Sequence, residues 1–123
     1  MRSILNRPIA LVDLVSLVDE HYPFTKDTHP NLQRDPVSNE VLPEAVIQHT
    51  LNHLSKSTIG PIAAVLEAYD HGKEIDSTGH EDILIALAKG LVNMEKMANT
   101  LGSSLHSVLR ATPEAMGVKI EYE

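Results

Sequence analysis

Between Ile47 and Tyr69, apolar residues recur at helical spacing straight through a Gly60-Pro61 pair. Ile47, Leu51, Leu54, Thr58, Ile62, Val65 and Tyr69 share one face at about 100° per residue. A proline inside a helix removes a hydrogen bond, costs about 3 kcal/mol and usually bends the rod. A new helix starting there would have no reason to keep the apolar phase. The spacing therefore predicts one kinked helix, with two abutting helices as the alternative. Pro43 and Glu44 suit its first turn, and Gly72 its stop. The opposite face carries His49, His53, Lys56, Gly60, Ala63, Ala64, Glu67 and His71, with Asn52 and Asp70 at its edge.

At 123 residues the chain has the length of one domain. Hydrophobic residues make up 42% but aromatics only 3%, with no Trp and one Phe. The core must come from Leu, Ile, Val, Ala and Met, which suits helix-on-helix packing. A net charge of −7 without a basic block is wrong for nucleic acid or an anionic membrane surface. There are no cysteines, so disulfides, thiolate metal sites and cysteine catalysis are excluded. The apolar run Ile9 to Val18 is broken by Asp13 and Ser16. It is too short for a membrane span and unlike a signal peptide, so a cytoplasmic protein is expected.

Asn6 and Pro8 suit a helix start, giving a first helix over Ile9 to Glu20. Apolar residues surround most of that helix, which points to burial on more than one side, as in a subunit interface. Its β-branched content leaves a strand as the alternative. Pro23, Pro30, Pro36 and Pro43 exclude a long helix from Tyr22 to Pro43. That stretch reads as an extended arm anchored by Tyr22, Phe24, Leu32, Val37 and Val41, or as a lid. After the polar loop Lys73 to Gly79, Thr78 and Glu81 form a capping box for a helix from about His80 to Leu101. Its expected core stripe is Ile83, Leu84, Leu87, Leu91, Met94, Ala98 and Leu101; its other side is Asp82, Ala86, Lys89, Asn93, Lys96 and Thr100. Gly102 ends it, and Ser103 or Ser104 caps a short helix through Arg110. The tail Thr112 to Glu123 contains an alternating Val118 to Tyr122 segment that suits an edge strand. The predicted architecture is all-α, an antiparallel helical bundle with a long kinked central helix. It is one domain: helix and arm over 1–43, helical core over 44–111, tail over 112–123.

His49 and His53 stand four apart, the spacing of a two-His metal pair. Glu67 and His71 repeat the spacing about 27 Å further along the rod, so the pairs cannot share one metal in a straight helix. Solvated or hydrogen-bonded histidines are the simpler reading. Glu67 and Asp70, followed by Glu81 and Asp82, suit oxygen ligation of Mg²⁺. The helix dipole alone also explains acids in a first turn. Lys56, Gly60, Ala63 and Ala64 form a small-residue face that suits a packed helix more than solvent. No phosphate-loop, dinucleotide or nucleophile-elbow motif is present.

The H-L-x-K-x-x-x-G of His53 to Gly60, the following L-E-x-x-D-H-G, and the long run from L-A-K-G-L-V-N-M to A-N-T-L-G-S-S-L-H-S-V-L resemble one family. It is the MazG-like all-α nucleoside triphosphate pyrophosphohydrolases, matched over about residues 46 to 110. The resemblance implies a helical bundle, a homodimer or homotetramer, and a nucleotide held with Mg²⁺. The family's metal-binding acids would fall near Thr58 and Pro61 and at Ala86 and Lys89, and none of these is an acid. A displaced site implied by the resemblance would use Glu67, Asp70 and Asp82 for metal, and Lys56, Lys89 and His53 for the substrate. The two functions that follow are a divergent pyrophosphohydrolase-like protein that binds or hydrolyses nucleoside triphosphates, and a non-catalytic oligomeric helical protein with a binding or regulatory role.

Overall fold

The computed structural model describes residues 10–115 and Gly117. It is mostly helical (66%), with no strand among the described residues beyond an isolated Arg34–Val41 bridge. In chain order α1 is Asp13–His21, α2 is Pro43–Leu54, α3 is Gly60–Asp70, α4 is Ser77–Thr100 and α5 is Leu105–Ala115. A π-helical turn, Ser55–Ile59, joins α2 to α3 without a break. Expectations placed on Asn6, Pro8 and Val118 to Tyr122 lie outside the described residues.

Pro61 explains the π turn. It has no N–H to give the carbonyl four residues back, and in an α-helix its ring would press on that carbonyl. The wider turn opens the ladder there, so the Gly60 N–H reaches back five residues to the Ser55 carbonyl. The rod stays helical from Pro43 to Asp70 through the proline.

α2, the π turn and α3 all pack along α4, while α1 and α5 touch only α4 among the helices. The crossing is close. The Thr58 hydroxyl donates 2.7 Å to the Ala86 carbonyl across the interface. Opposite it stands Gly90, where a Cβ would come 2.8 Å from Thr58 Oγ1. Thr58, Ala86, Gly90 and Asn93 are buried there.

This overturns the expected faces of α4 in part: Ala98 is buried and Ile83 half-buried as expected, but the bulkiest residues of the stripe are not. The side with Ala86 and Asn93 packs inward, whereas Leu84, Leu87, Leu91, Met94 and Leu101 are 40–67% exposed. Small residues win the inner face because they let two backbones approach; the bulky stripe lies roughly 100° round the helix. The apolar face of the central helix divides similarly. Thr58 is buried and Leu54, Ile62 and Val65 are half-buried, but Leu51 and Tyr69 are exposed. The small-residue face expected to pack does not: Lys56, Gly60, Ala63 and Ala64 are exposed.

Ends and arm depart from expectation in detail. α4 starts at Ser77, capped by Asp76, whose Oδ1 accepts the Gly79 N–H at 2.8 Å. This cap supersedes the Thr78–Glu81 box, because a carboxylate at Asp76 meets the first free N–H groups a turn earlier. Ser104 caps α5 through the Ser107 N–H at 3.1 Å, as expected of one of the two serines. α1 buries Leu14 and Val18 and half-buries Val15 and Leu17, while Val12 just before it is exposed. The arm is folded on itself. Thr25 and Thr28 bond each other, and Asp35 Oδ1 accepts the N–H groups of Val37 and Ser38. Val37 is 94% exposed and anchors nothing.

The tight crossing fixes two outcomes. Gly90→Ala gains about 1 kcal/mol of helix propensity, but overpacking against Thr58 costs about 1–3 kcal/mol. We expect urea denaturation to give a net loss. Thr58→Val keeps the shape and removes the bond to Ala86, for a loss of about 1 kcal/mol. An alanine at 90 that stabilises the protein would disprove the close contact.

Candidate functional site

Two grooves flank the Thr58 crossing on the same side of α4. The larger, about 420 Å³, runs between α3 and α4 past Ser57, Pro61, Ala64, Asp82, Ile85 and Lys89. The second, about 300 Å³, lies under the end of α1 and is lined by Tyr22, His53, Ser57, Lys89, Asn93 and Lys96 among others. Lys89 and Ser57 line both.

Helical spacing builds the second groove. Lys89, Asn93 and Lys96 stand four and three apart, so they share one stripe of α4. His53 reaches the groove from the last turn of α2, and Tyr22 from the end of α1. Lys96 Nζ lies 4.2 Å from the Tyr22 ring centre and 6.0 Å from that of Phe24. Burial lowers the Lys96 pKa from its ordinary value. Among the described residues no Asp or Glu lines this groove.

Asn93 is the informative residue. It is 5% exposed, and its Nδ2 donates to the Lys89 carbonyl at 3.1 Å. Its Oδ1 is buried without a partner. A buried unpaired acceptor costs about 1–3 kcal/mol, so pairing this amide oxygen with a donor would be stabilising.

Beside His53 lies a cluster of rings. His53 and His49 have centroids 4.5 Å apart, and His49 and His29 are 5.1 Å apart. Phe24 stacks on His29 at 4.5 Å and meets His49 edge-on at 5.8 Å. The arm is therefore pinned to α2 by Phe24 and His29. His29 brings a third imidazole to the His49–His53 pair, and its Nδ1 lies 2.9 Å from Thr28 Oγ1. No group of three or more His, Asp or Glu among the described residues is placed to hold a metal ion.

The expected site residues are dispersed. Lys89 and His53 meet in the second groove. Lys56 is exposed and lines neither groove. Glu67 and Asp70 are exposed on α3, Asp82 lines the first groove, and the three form no metal-holding group. Sequence reasoning missed Lys96, Asn93, Tyr22 and His29 as partners. The i, i+3, i+4 run of Lys89, Asn93 and Lys96 was the available signal; the arm's contribution had none. It also missed Glu95, fully buried, whose Oε2 accepts the Leu105 N–H at 3.2 Å and caps α5 from α4.

The His cluster gives the protein a pH dependence. The pKa of His29 is lowered from the ordinary 6.5 by burial, then by the charges of Lys96 and His53. That of His49 is lowered by burial, then by His53, His29, Lys96 and Lys56. The folded state thus disfavours protons that the unfolded chain accepts. The contribution of these two histidines is level well above 6.5; as pH falls below it, they lower stability until their folded-state values are passed. We expect the urea midpoint to drop on moving from neutral to mildly acidic pH, and His49→Gln to flatten that slope. Equal slopes in the two proteins would show that His49 is not involved. No protein-family model, curated protein or solved structure matches the chain.

Proposed function

We propose that this protein binds a small phosphorylated ligand, of the nucleotide class, in the groove between α1, α2 and α4, and does not hydrolyse it. One observation carries the reading. His53, Lys89, Lys96 and Asn93 line one groove that no carboxylate of the described residues lines, and the Asn93 Oδ1 is buried without a partner among them. In a chain of net charge −7 this is a local concentration of cationic donors.

The groups divide the ligand in two. Ammonium donors suit phosphate oxygens, with Lys acting as a point charge. Asn93 Oδ1 needs a donor, which inorganic anions lack when fully ionised and which a sugar hydroxyl or base amino group supplies. Tyr22 adds a ring at the edge for a base or sugar. A nucleotide meets all three requirements.

Absence of hydrolysis rests on the acids. Thr58, Pro61, Ala86 and Lys89 occupy the positions where the MazG-like resemblance implies metal ligands. Glu67, Asp70 and Asp82 are not assembled as a substitute. The reading is therefore of a divergent member of that fold acting as a binding protein, with no step assigned to Mg²⁺.

Calorimetry with pyrophosphate, AMP and ATP, each with and without Mg²⁺, tests it. ATP should bind without the metal, weaken as salt rises, and lose about tenfold or more in Lys89→Ala and in Lys96→Ala, as expected for a charge-assisted hydrogen bond. Glu67→Gln should leave binding unchanged. No heat with any of the three at millimolar concentration would sink the binding role. Pyrophosphate release that Glu67→Gln abolishes would restore catalysis.

A further inference from the structure

We propose that the 23–29 turn of the arm is an acid-released clasp, seated beside α2 and α4 while His29, His49 and His53 are neutral and lifted off when neighbouring rings carry protons. The turn is folded on its own hydrogen bonds. Thr28 Oγ1 donates to the Pro23 carbonyl at 2.8 Å, and the Thr25 and Thr28 N–H groups each bond the other's hydroxyl. The His29 N–H reaches the Thr25 carbonyl at 2.8 Å. Among the described residues, every hydrogen bond made by 23–41 stays within 23–42, so none ties the arm to α2 or α4. The turn meets the body through rings instead. Phe24 and His29 stack on each other and face His49 at 5.8 and 5.1 Å.

Charge decides whether those rings hold. His49 is the hub, because Phe24, His29 and His53 all contact it. Neutral rings attract edge-on. Protons on His49 and either neighbouring imidazole place like charges 4.5–5.1 Å apart, well inside the ~10 Å screening length at 0.1 M salt. The charges around them add to the repulsion. They are His53 on α2, Lys56 on the π turn and Lys96 on α4, whose Nζ lies 6.0 Å from the Phe24 ring centre. Lys26 and Asp27 of the turn itself are exposed and are not among the charges that act on either ring. Among the described residues no carboxylate offsets the cations. Burial, then these charges, lowers the pKa of His29 and His49, so both are neutral at neutral pH and take protons below the ordinary 6.5.

Release is local. A protonated His29 still donates through Nδ1 to Thr28 Oγ1, 2.9 Å away, so the turn leaves as a folded unit. The helices are held elsewhere. Val46, Thr50 and Thr58 are buried along α2 and the π turn, and the bond from Thr58 to Ala86 contains no titratable group. Lift-off takes Phe24 from beside Lys96, which lines the second groove, and opens that end of it. That the clasp thereby regulates a ligand rests on the binding role proposed above. Lift-off itself does not, and it is read with no ligand present.

Nuclear magnetic resonance of the ligand-free chain is the test. The sequence has one Phe, so the Phe24 ring signals are unambiguous. Overhauser contacts from Phe24 to His49 and to the Lys96 side chain should be present at about pH 7.5 and lost at about pH 5, with helical circular dichroism unchanged. His49→Phe supplies a ring that takes no proton, and should keep the contact between Phe24 and Lys96 at the lower pH. If that variant does not fold, the cysteine-free chain allows a second measurement. Spin labels at Asp27→Cys and Glu81→Cys, both exposed and outside the ring cluster, should change and broaden in separation over the same pH range. Phe24 contacts that persist after the imidazole signals have shifted, equal loss in His49→Phe, loss only together with the helices, or an unchanged label separation would overturn the proposal.

Discussion

The hydrogen bond from Thr58 to the Ala86 carbonyl sets the rest of the structure. It is short and buried, and it joins two helices whose backbones are held close by Gly90. That contact fixes which residues of α4 look inward. Ala86, Gly90 and Asn93 must then line the crossing, and every other stripe of α4 takes its place by rotation. Lys89 and Lys96 fall to one side, beside the grooves. Leu84, Leu87, Leu91 and Met94 fall to the other. A larger residue at 90 would push the helices apart and lengthen the bond.

The π turn places Thr58 for that bond. Pro61 breaks the regular ladder, and the chain absorbs the loss by widening one turn. A π turn inserts a residue relative to α-helical phase, so α2 and α3 address α4 with slightly different faces. Val46 and Thr50 are buried before the turn, Thr58 within it, and nothing is fully buried after it. The rod is tightly seated at its α2 end and progressively looser along α3.

This explains what could be read from the sequence. The helices, their order and the turn at Gly72 follow from periodicity and punctuation, because those signals are local. The inner face of α4 does not, because periodicity finds the most apolar stripe and takes it for core. Here close approach is what the crossing requires, so Ala86 and Gly90 hold the inner face and the leucines do not. The same limit applies to the groove. His49 and His53 were legible at four-residue spacing, and Lys89 from its place on α4. Tyr22, His29 and Phe24 come from an irregular arm, and only the folded chain brings them against α2 and α4.

The two surfaces of the hairpin divide polar from apolar work. On the groove side, Lys89, Lys96 and His53 line a groove with Asn93, whose amide oxygen lacks a partner among the described residues. On the far side Leu84, Leu87, Leu91 and Met94 form an exposed apolar stripe. Since Asn93 and Gly90 stand within one turn on α4, the groove-lining Asn93 is held by the same crossing that turns Leu91 outward. A shift of α4 about its axis would disturb both at once. A ligand that ordered the groove would therefore favour the rotation of α4 that turns Leu91 outward.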